Sequence, residues 1–411
     1  MTTVFRDLAL EAREAAQCLA LLKRADKDAA LFAMASALLS AEEEILSVNL
    51  VDVSQARLAG TSEALIDRLL LNPERLAGMA LGLRELAALS DPVGEVLRGW
   101  QLANGVSISQ VRVPLGVVGI IYEARPNVTA DAAGICLKSG NAALLRGSSS
   151  SLATNQAIVL ALRRGLASVG LPEAAVCLVE GDRQVTTEMM QAHGLVDVLI
   201  PRGGLSLIET VVRQSSVPVI ETGAGNCHLF VDSSADADMA LEIALNAKTQ
   251  RPTVCNAIET VLVDQAIAAT FVPRLAEAMV GVELFGNAVA AGFDSRIQLT
   301  DEWDREFYRL ALRIAVVDDL DAAIDFIRAH GSGHSETIVT NDLDHQQRFV
   351  AGIDAACLLV NTSSRLIDGG QFGFGAEIGI STNKLHARGP MGLAEMTTTK
   401  YVLVGSGQIR E

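Results

Sequence analysis

The chain has 411 residues and a formal net charge of -16, and half of its residues are hydrophobic while only 4% are aromatic. This length predicts two or three domains with room for a large core. The acidic balance and the lack of a basic cluster argue against nucleic acid and anionic membranes as partners, although they do not decide the charge of a substrate.

The start of the chain and the cysteine pattern indicate a cytoplasmic protein. Residues 1–40 have the pattern of charged amphipathic helix, without the uninterrupted apolar region of a signal peptide. No window approaches the ~18 consecutive apolar residues of a membrane span. The six cysteines are scattered and form no C-x-x-C pair, which argues against a disulfide scaffold and against a zinc site. We therefore expect a reducing compartment and no metal.

The hydrophobic pattern predicts three regions in chain order. Residues 1 to about 95 have apolar positions at three- and four-residue spacing, which predicts an almost wholly helical region. Residues 100–113 alternate, which predicts a strand or hairpin with one wet face. A strand–helix rhythm then begins with a buried strand at Val117–Tyr122 and resumes after Ile220. This rhythm predicts parallel sheets covered by helices, in two α/β units of unequal size joined near residues 220–230.

The segment Gln250–Asn256, with the sequence Q-R-P-T-V-C-N, sets one cysteine among polar residues between a helix-like and a strand-like run. Most buried cysteines behave as small hydrophobes, whereas a cysteine beside a fixed cation and amide groups can be held as the nucleophilic thiolate. Cys255 is therefore a candidate for a covalent acyl intermediate, although local context leaves a structural role open. Cys227, which begins an apolar strand, is a competitor for which a structural role is favoured.

Three further segments follow predicted strands. The run Arg146–Ser151 suits a phosphate through its glycine, hydroxyls and helix N–H groups, although a serine N-cap explains two of its four serines. The pair Gly203-Gly204 opens a helix, but it is not the G-x-G-x-x-G dinucleotide fingerprint. Asn127 follows a strand's carboxyl end, where its amide can donate to an oxyanion or stabilise a turn.

Lys384–Pro390 carries three basic side chains and is either a carboxylate-binding patch or a solvated turn.

Together these segments resemble the aldehyde dehydrogenase superfamily and, more closely, its branch of γ-glutamyl phosphate reductases (glutamate-5-semialdehyde dehydrogenases). The likeness runs over nearly the whole chain and is strongest at 113–127, 250–256, 369–373 and 385–392. One departure is Phe326, where the branch pattern predicts histidine, on a helix that is expected to lie away from the chemistry.

The resemblance implies an aldehyde dehydrogenase-like α/β fold with two Rossmann-like parallel-sheet domains and a small β oligomerisation flap. It implies a cofactor-binding domain over residues 1–223, interrupted by an oligomerisation hairpin at 98–114, and a catalytic domain over 224–372. The C-terminal segment 373–411 is expected to return to the cofactor domain and the flap. A homodimer or homotetramer is expected on the same ground.

The resemblance also implies roles for individual residues. Cys255 matches the nucleophile, Asn127 the oxyanion-hole asparagine and Glu221 the general-base glutamate, at the superfamily's usual interval before the cysteine. Contacts with the cofactor are implied for Arg146, Ser148, Ser149, Gly203, Gly204 and Glu306. The basic residues that could hold the substrate's phosphate and α-carboxylate, which the sequence does not sort, are Arg125, Arg251, Lys138, His386 and Arg388.

The implied reaction is the NADPH-dependent reduction of L-glutamyl 5-phosphate to L-glutamate 5-semialdehyde and phosphate through a cysteine thioester, the second step of proline biosynthesis from glutamate. The preference for NADPH over NADH rests on the resemblance, with Arg146 and the serines as a 2′-phosphate site. The role of Glu221 stays open, because water activated by a carboxylate would waste the thioester; it either deprotonates Cys255 or shapes the loop before Gly223.

Two other interpretations remain from the sequence alone. One is an acylating aldehyde dehydrogenase that uses an acyl-CoA, and the other is a non-catalytic relative that serves as a scaffold. The presence of Cys255, Asn127 and Glu221 together argues against the scaffold. No kinase-sized region precedes the reductase-like part, so the enzyme that makes the acyl phosphate, glutamate 5-kinase, is expected to be a separate protein and a transient partner.

Overall fold

The computed structural model describes residues 1–410, which form two compact units. Unit 1 comprises Met1–Glu221, Gly373–Gly379 and the chain from Met391 onward, and unit 2 comprises Thr222–Phe372 and Ile380–Pro390. Each unit has its own parallel sheet. The predicted α/β architecture with two parallel sheets is confirmed.

Five helices form the first part of unit 1, as the helical periodicity predicts. They are α1 (Thr3–Leu19), α2 (Arg24–Ser40), α3 (Glu42–Leu58), α4 (Glu63–Leu69) and α5 (Pro73–Ala88). Side-chain caps fix two of their starts, since Thr2 accepts the N–H of Phe5 and Asn72 accepts the N–H of Arg75. The proline at the start of α5 also favours a helix N-terminus, because it has no N–H to leave unpaired.

The sheet of unit 1 lies in the strand–helix region that follows. Its elements, with the hairpin that precedes them, are β1 (Val96–Gln101), β2 (Ser107–Pro114), β3 (Val117–Tyr122), α6 (Pro126–Lys138), β4 (Ala142–Arg146), α7 (Leu152–Ser168), β5 (Val176–Leu178), α8 (Arg183–Met190), β6 (Val198–Arg202) and α9 (Leu205–Gln214). The parallel strands stand in the order β5-β4-β3-β6. Every residue of the central strand β3 is buried, as its unbroken apolar sequence predicts.

Unit 2 contains the larger sheet. Its elements are β7 (Cys227–Val231), α10 (Ala237–Thr249), β8 (Ile258–Asp264), α11 (Gln265–Ala278), β9 (Glu283–Gly286), α12 (Ala288–Phe293), β10 (Ile297–Leu299), β11 (Ala311–Val317), α13 (Leu320–His330), β12 (Ser335–Val339), α14 (Leu343–Gly352) and β13 (Cys357–Val360). All its strand pairs are parallel, in the order β10-β9-β11-β8-β7-β12-β13. Apolar residues of α10 and α11 pack on one face, and those of α13 and α14 pack on the other.

The last strands are β14 (Ile380–Ser381), β15 (Gly389–Pro390) and β16 (Thr397–Val404). The first two form a short pair in unit 2, and β16 joins the hairpin in an antiparallel sheet of order β1-β2-β16. The predicted strand or hairpin at 100–113 is thus confirmed. Within residues 1–410, no helix combines the length and apolar character that crossing a bilayer requires.

Candidate functional site

The candidate residues of unit 1 lie in loops that follow its parallel strands. Asn127 comes after β3, Ser148 after β4 and Gly203 after β6. Because β3 lies between β4 and β6, the three loops are neighbours at the carboxyl edge of the sheet. Glu221 reaches the same edge, since Val219 forms a parallel bridge to β6. This is the edge at which open α/β sheets bind ligands.

Asn127 is exposed in the first turn of α6, and its side-chain amide is oriented by a carboxylate. The Nδ2 atom donates to Asp131 Oδ2 at 3.0 Å, one helical turn away. Burial raises the pKa of Asp131 to about 6, and the hydrogen bond from Asn127 and the charge of Arg202 oppose that rise. Since an amide nitrogen has two hydrogens, one remains for another acceptor.

The Gly203-Gly204 turn already binds a carboxylate from the same chain, that of Glu123. Gly204 is the N-cap of α9, and its N–H donates to Glu123 Oε1 at 2.9 Å. A Cβ atom on Gly203 would lie 2.7 Å from the Cδ of Glu123, so the carboxylate reaches the helix only because position 203 lacks a side chain. The turn therefore fits an anionic oxygen, and a diphosphate bound there would share or replace the position of Glu123.

Arg146 is tied to the loop that follows β5, and burial lowers its pKa. Its guanidinium donates to Thr186 Oγ1 at 3.1 Å and to the carbonyl oxygens of Val179 at 3.0 Å, Gly181 at 2.7 Å and Asp182 at 3.1 Å. These bonds take up most of its N–H donors. Arg146 therefore orders the loop, and the half-buried Ser148 and exposed Ser149 are the more available groups for a phosphate.

Lys138 does not reach this edge of the sheet. Its fully buried Nζ donates to the Ala87 carbonyl at 2.9 Å and forms an ion pair with Asp28. Lys138 is the last residue of α6 and Asn127 the second, and at ~1.5 Å of rise per residue the two lie roughly 16 Å apart. A tertiary ion pair thus takes up the charge of Lys138, and its predicted contact with substrate stays a prediction that this geometry does not favour. Arg125, half-buried at the N-cap of α6, remains a candidate.

In unit 2 the candidate residues precede strands. Cys255 is half-buried between the end of α10 and the start of β8. Its carbonyl accepts the S–H of Cys227 at 3.2 Å, and a Cβ atom on Gly225 would overlap that carbonyl oxygen at 1.6 Å. Burial and nearby carboxylates such as Glu336 raise the pKa of Cys227 well above its usual range. Cys227 is therefore a buried thiol that holds the backbone of Cys255, in keeping with a structural role.

Glu306 lies in the loop before β11 and contacts the same glycine. One carboxylate oxygen, Oε1, accepts the N–H of Gly225. The other, Oε2, is buried and has no hydrogen-bond partner within residues 1–410. Buried acceptors are normally paired, so this oxygen suits a hydroxyl donor such as that of a ribose.

A buried charged network, which the sequence patterns did not predict, holds the loop that carries Glu306. Lys248 Nζ donates to Glu259 at 3.0 Å, and Glu259 also accepts the N–H of Phe307 at 3.2 Å. The Arg313 guanidinium lies 4.3 Å from the centre of the Phe307 ring. Burial raises the pKa of Glu259 and lowers the pKa of Lys248, while their mutual attraction favours the charged forms. The available signal was the arginine inside the otherwise apolar strand β11.

Phe326 lies nearer to this loop than the sequence indicated. Its ring centre is 5.2 Å from that of Trp303, 5.9 Å from that of His228 and 4.6 Å from that of His330. Trp303 lies three residues before Glu306 in the same loop. Phe326 therefore packs against the segment that carries the glutamate. Within residues 1–410 no group of three or more His, Cys, Asp and Glu side chains is arranged to hold a metal ion.

The basic C-terminal segment of unit 2 is partly neutralised. Arg388 donates to the Asp354 carboxylate at 2.6 Å and to its carbonyl oxygen at 3.1 Å, and Lys384 pairs with the same carboxylate. Hydrogen bonds from Lys384 and Arg388 lower the pKa of Asp354. Arg251 and His386 are exposed, and His386 has a left-handed backbone with φ of 67°. These two side chains are the better placed of the predicted substrate cations in this unit.

The chain is similar to known proteins over its whole length. Residues 5–294 match the model of the aldehyde dehydrogenase family. A relative from Cutibacterium acnes (strain DSM 16379 / KPA171202), named gamma-glutamyl phosphate reductase, is 59% identical over 409 residues, which cover 98% of this chain and 97% of the relative. A relative of the same name from Thermobifida fusca (strain YX) is 54% identical over 418 residues and covers 100% of both chains. The crystal structure of gamma-glutamyl phosphate reductase from Thermotoga maritima matches with a TM-score of 0.96 at 44% identity, covering 99% of this chain and 100% of that one.

Proposed function

The chain belongs to the aldehyde dehydrogenase family and, within it, to the gamma-glutamyl phosphate reductases, and on this premise we propose that it reduces L-glutamyl 5-phosphate to L-glutamate 5-semialdehyde and phosphate with NADPH. This reaction is the second step of proline biosynthesis from glutamate. The observation that carries the proposal is the half-buried Cys255. Its carbonyl oxygen accepts the thiol of Cys227 and packs closely against Gly225.

Cys255 serves as the nucleophile. Its thiolate attacks the acyl carbon of the substrate, a carbon–sulfur bond forms, and the carbon–oxygen bond to phosphate breaks, so that phosphate leaves with the electron pair. When bound, NADPH supplies the hydride that reduces the resulting thioester. The carbon–sulfur bond then breaks, the aldehyde departs and the thiolate is restored.

Asn127 stabilises the two oxyanions that form on this path. The Nδ2 hydrogen that Asp131 does not accept is the proposed donor to the substrate oxygen. The family resemblance implies the backbone N–H of Cys255 as the second donor. Donors that are already oriented need no reorganisation as the charge develops, which is why they lower the barrier. Glu221 either takes the proton of Cys255 or shapes the loop before Gly223, and water must be kept from the thioester in both cases.

The cofactor is held mainly at the carboxyl edge of the unit 1 sheet. The Gly204 N–H and the start of α9 suit the diphosphate, and the hydroxyls of Ser148 and Ser149 suit the 2′-phosphate that distinguishes NADPH from NADH. Glu306 Oε2 accepts a ribose hydroxyl. Arg146 supports this site by ordering the loop after β5. The substrate's phosphate and α-carboxylate are assigned to Arg125, Arg251 and His386, with a smaller part for Arg388.

The exposed sheet β1-β2-β16 is assigned to assembly of a homodimer or homotetramer. All six residues of β1 are exposed, and β16 is an edge strand with the exposed side chains Tyr401, Leu403 and Val404. Apolar side chains on an unpaired edge favour contact with a second copy. Light scattering tests this, and a monomer would contradict it. We also assign the protein to the cytoplasm.

Glutamate 5-kinase is the expected transient partner, since it makes the unstable acyl phosphate. Mixing the two enzymes should then give faster semialdehyde formation than the kinase product supplied through free solution. An equal rate with and without the opportunity for contact would argue against the complex.

The reverse reaction tests the substrate assignment. With L-glutamate 5-semialdehyde and NADP⁺, the appearance of NADPH absorbance is expected to require inorganic phosphate, because phosphate discharges the thioester. A requirement for coenzyme A in place of phosphate would show an acyl-CoA substrate and overturn the proposal. Full turnover of Cys255→Ala would place the nucleophile elsewhere.

A further inference from the structure

Three consecutive residues of unit 2, Ser363, Ser364 and Arg365, contact the segment that contains Cys255. They lie beyond β13, at the start of the short 3₁₀ turn Ser364–Leu366. Ser364 Oγ donates to the Asn256 carbonyl oxygen at 2.5 Å, and Ser363 Oγ donates to Asn246 Oδ1 at 2.7 Å on the last turns of α10. The two serines therefore contact the helix that precedes the cysteine segment and the last residue of the segment.

Arg365 bonds to both ends of the cysteine segment. Its Nε donates to Gln250 Oε1 at 2.8 Å, and its Nη1 donates to Asn256 Oδ1. Gln250 is the C-cap residue of α10, and Asn256 follows Cys255 directly. One planar guanidinium thus joins the first and last residues of the segment Gln250–Asn256, and its rigid fork fixes the distance between them.

Asn256 is held at every polar group of its side chain. Besides accepting from Arg365, its Nδ2 donates to the Ile367 carbonyl oxygen at 2.6 Å. On the other side, the Cys255 carbonyl accepts from Cys227, as described above. The peptide unit that bears the nucleophile is therefore fixed from both directions, and the Arg365 bridge is the part that reaches across the whole loop.

We propose that Arg365 is a positioning residue for Cys255, which acts through Gln250 and Asn256 and does not bind the substrate. This inference rests on the proposed function, because it takes Cys255 as the nucleophile. Two of the arginine's donor nitrogens are engaged by amide oxygens of the cysteine segment. Displacement of a reacting group by ~1 Å can cost about 100-fold in rate, so loss of the bridge should lower kcat more than it raises KM.

Arg365→Lys is the most informative variant, because it keeps the charge but replaces the fork with a single ammonium that cannot span both partners. We expect kcat to fall about 10- to 100-fold while KM for the acyl phosphate changes less than about threefold. Gln250→Met removes one end of the bridge, leaves the arginine in place, and should reproduce part of the fall in kcat. It also keeps the proposal testable if Arg365→Lys folds poorly.

A readout that does not depend on turnover is the rate at which iodoacetamide alkylates Cys255, followed by peptide mass mapping. The exposed Cys18 in unit 1 provides the internal reference. We expect alkylation of Cys255 to change several-fold in both variants and that of Cys18 to stay constant. A rise in KM with unchanged kcat and unchanged alkylation would instead identify Arg365 as a substrate-binding residue, and no change in any of the three would show that the bridge is dispensable.

The alkylation result also separates this proposal from the proposed function. If Cys255→Ala retained full turnover, the reaction assignment would fail, yet altered alkylation in Arg365→Lys would still show that the bridge positions the thiol. If Cys255→Ala is inactive while alkylation and kcat of Arg365→Lys match the wild type, only the positioning role is overturned.

Discussion

In unit 1, Asn127, Ser148 and Gly203 follow the carboxyl ends of β3, β4 and β6, whereas in unit 2 Cys255 and Glu306 precede the amino ends of β8 and β11. The carboxyl edge of a parallel sheet is where the following helices begin, so their unpaired N–H groups and positive partial charge face a ligand. At the amino edge the preceding helices end, and they present carbonyl groups. The same α/β architecture therefore offers two chemically different edges.

The two edges are stabilised in correspondingly different ways. The turn at Gly203-Gly204 needs one side-chain partner, Glu123, because the start of α9 supplies the N–H groups. The cysteine segment follows the C-terminus of α10, which supplies no such groups, and it is held instead by side chains such as Arg365. Buried pairs such as Lys248 and Glu259 add to this support. Unit 1 is thus suited to binding an anionic cofactor, and unit 2 to fixing a reacting atom.

Asn127 gives the sharpest test of this division, because it is a residue of the binding edge to which we assign a role in the chemical step. Asn127→Ala should lower kcat by about 100- to 1,000-fold, since one oxyanion donor is lost. KM for NADPH should change by less than about threefold. Asn127→Asp is the matched variant, with the same size but no N–H donor, and should be at least as impaired in steady-state assays. A raised KM with normal kcat would make Asn127 a cofactor-binding residue like its neighbours.

Asp131 tests how much the burial of a carboxylate at the carboxyl edge of the unit 1 sheet lowers the free energy of unfolding. Burial raises its pKa from 3.8 to about 6, so the native state holds the proton more tightly than the unfolded chain. The free energy of unfolding therefore falls as pH rises through that interval, and Asp131→Asn removes this loss. Relative to the wild type, the variant should gain about 1–2 kcal/mol between pH about 4 and pH about 7, after allowance for solvent screening of a half-buried group.

Urea unfolding at the two pH values measures this difference. Asp7→Asn, at an exposed position of α1, is the matched control for removal of one negative charge. A constant difference between wild type and Asp131→Asn across this pH range would contradict the account.

Glu123 should have the smallest effect, on cofactor affinity. Its carboxylate occupies the start of α9, where we expect the diphosphate of NADPH. Glu123→Gln removes the competing charge, and an anion at a helix N-terminus is worth about 0.3–1 kcal/mol, so the dissociation constant of NADPH should fall about two- to fivefold. Fluorescence titration measures it, with Glu173→Gln, at an exposed position before β5, as the matched control. Weaker binding by Glu123→Gln would show that the carboxylate supports the site.

Sequence patterns predicted most of the regular structure because it depends on local periodicity. The strand Val117–Tyr122 has the predicted bounds, and the helical region before residue 95 is confirmed. The strands β9 and β10 were missed, since four and three residues are too short for a periodic signal. The resemblance supplied the fold, and it is confirmed by the match to the aldehyde dehydrogenase family.

The side-chain partners of the site were harder to predict because they are distant in the sequence. Lys138 meets Asp28 across 110 residues, Arg365 meets Asn256 across 109, and Glu123 meets Gly204 across 81. A basic residue near a motif in sequence can therefore be a buried structural cation, and one far away can hold the motif in place. The roles of Cys255 and Asn127 stay predictions until they are measured.

The central claim is that a cysteine at the amino edge of the unit 2 sheet forms an acyl thioester. Incubating the protein with glutamate semialdehyde and NADP⁺ in the absence of phosphate, then quenching with acid and mapping peptides by mass spectrometry, tests it directly. We predict a glutamyl adduct on Cys255 that disappears when phosphate is added before quenching. An adduct on another cysteine, or full turnover without any adduct, would contradict the account.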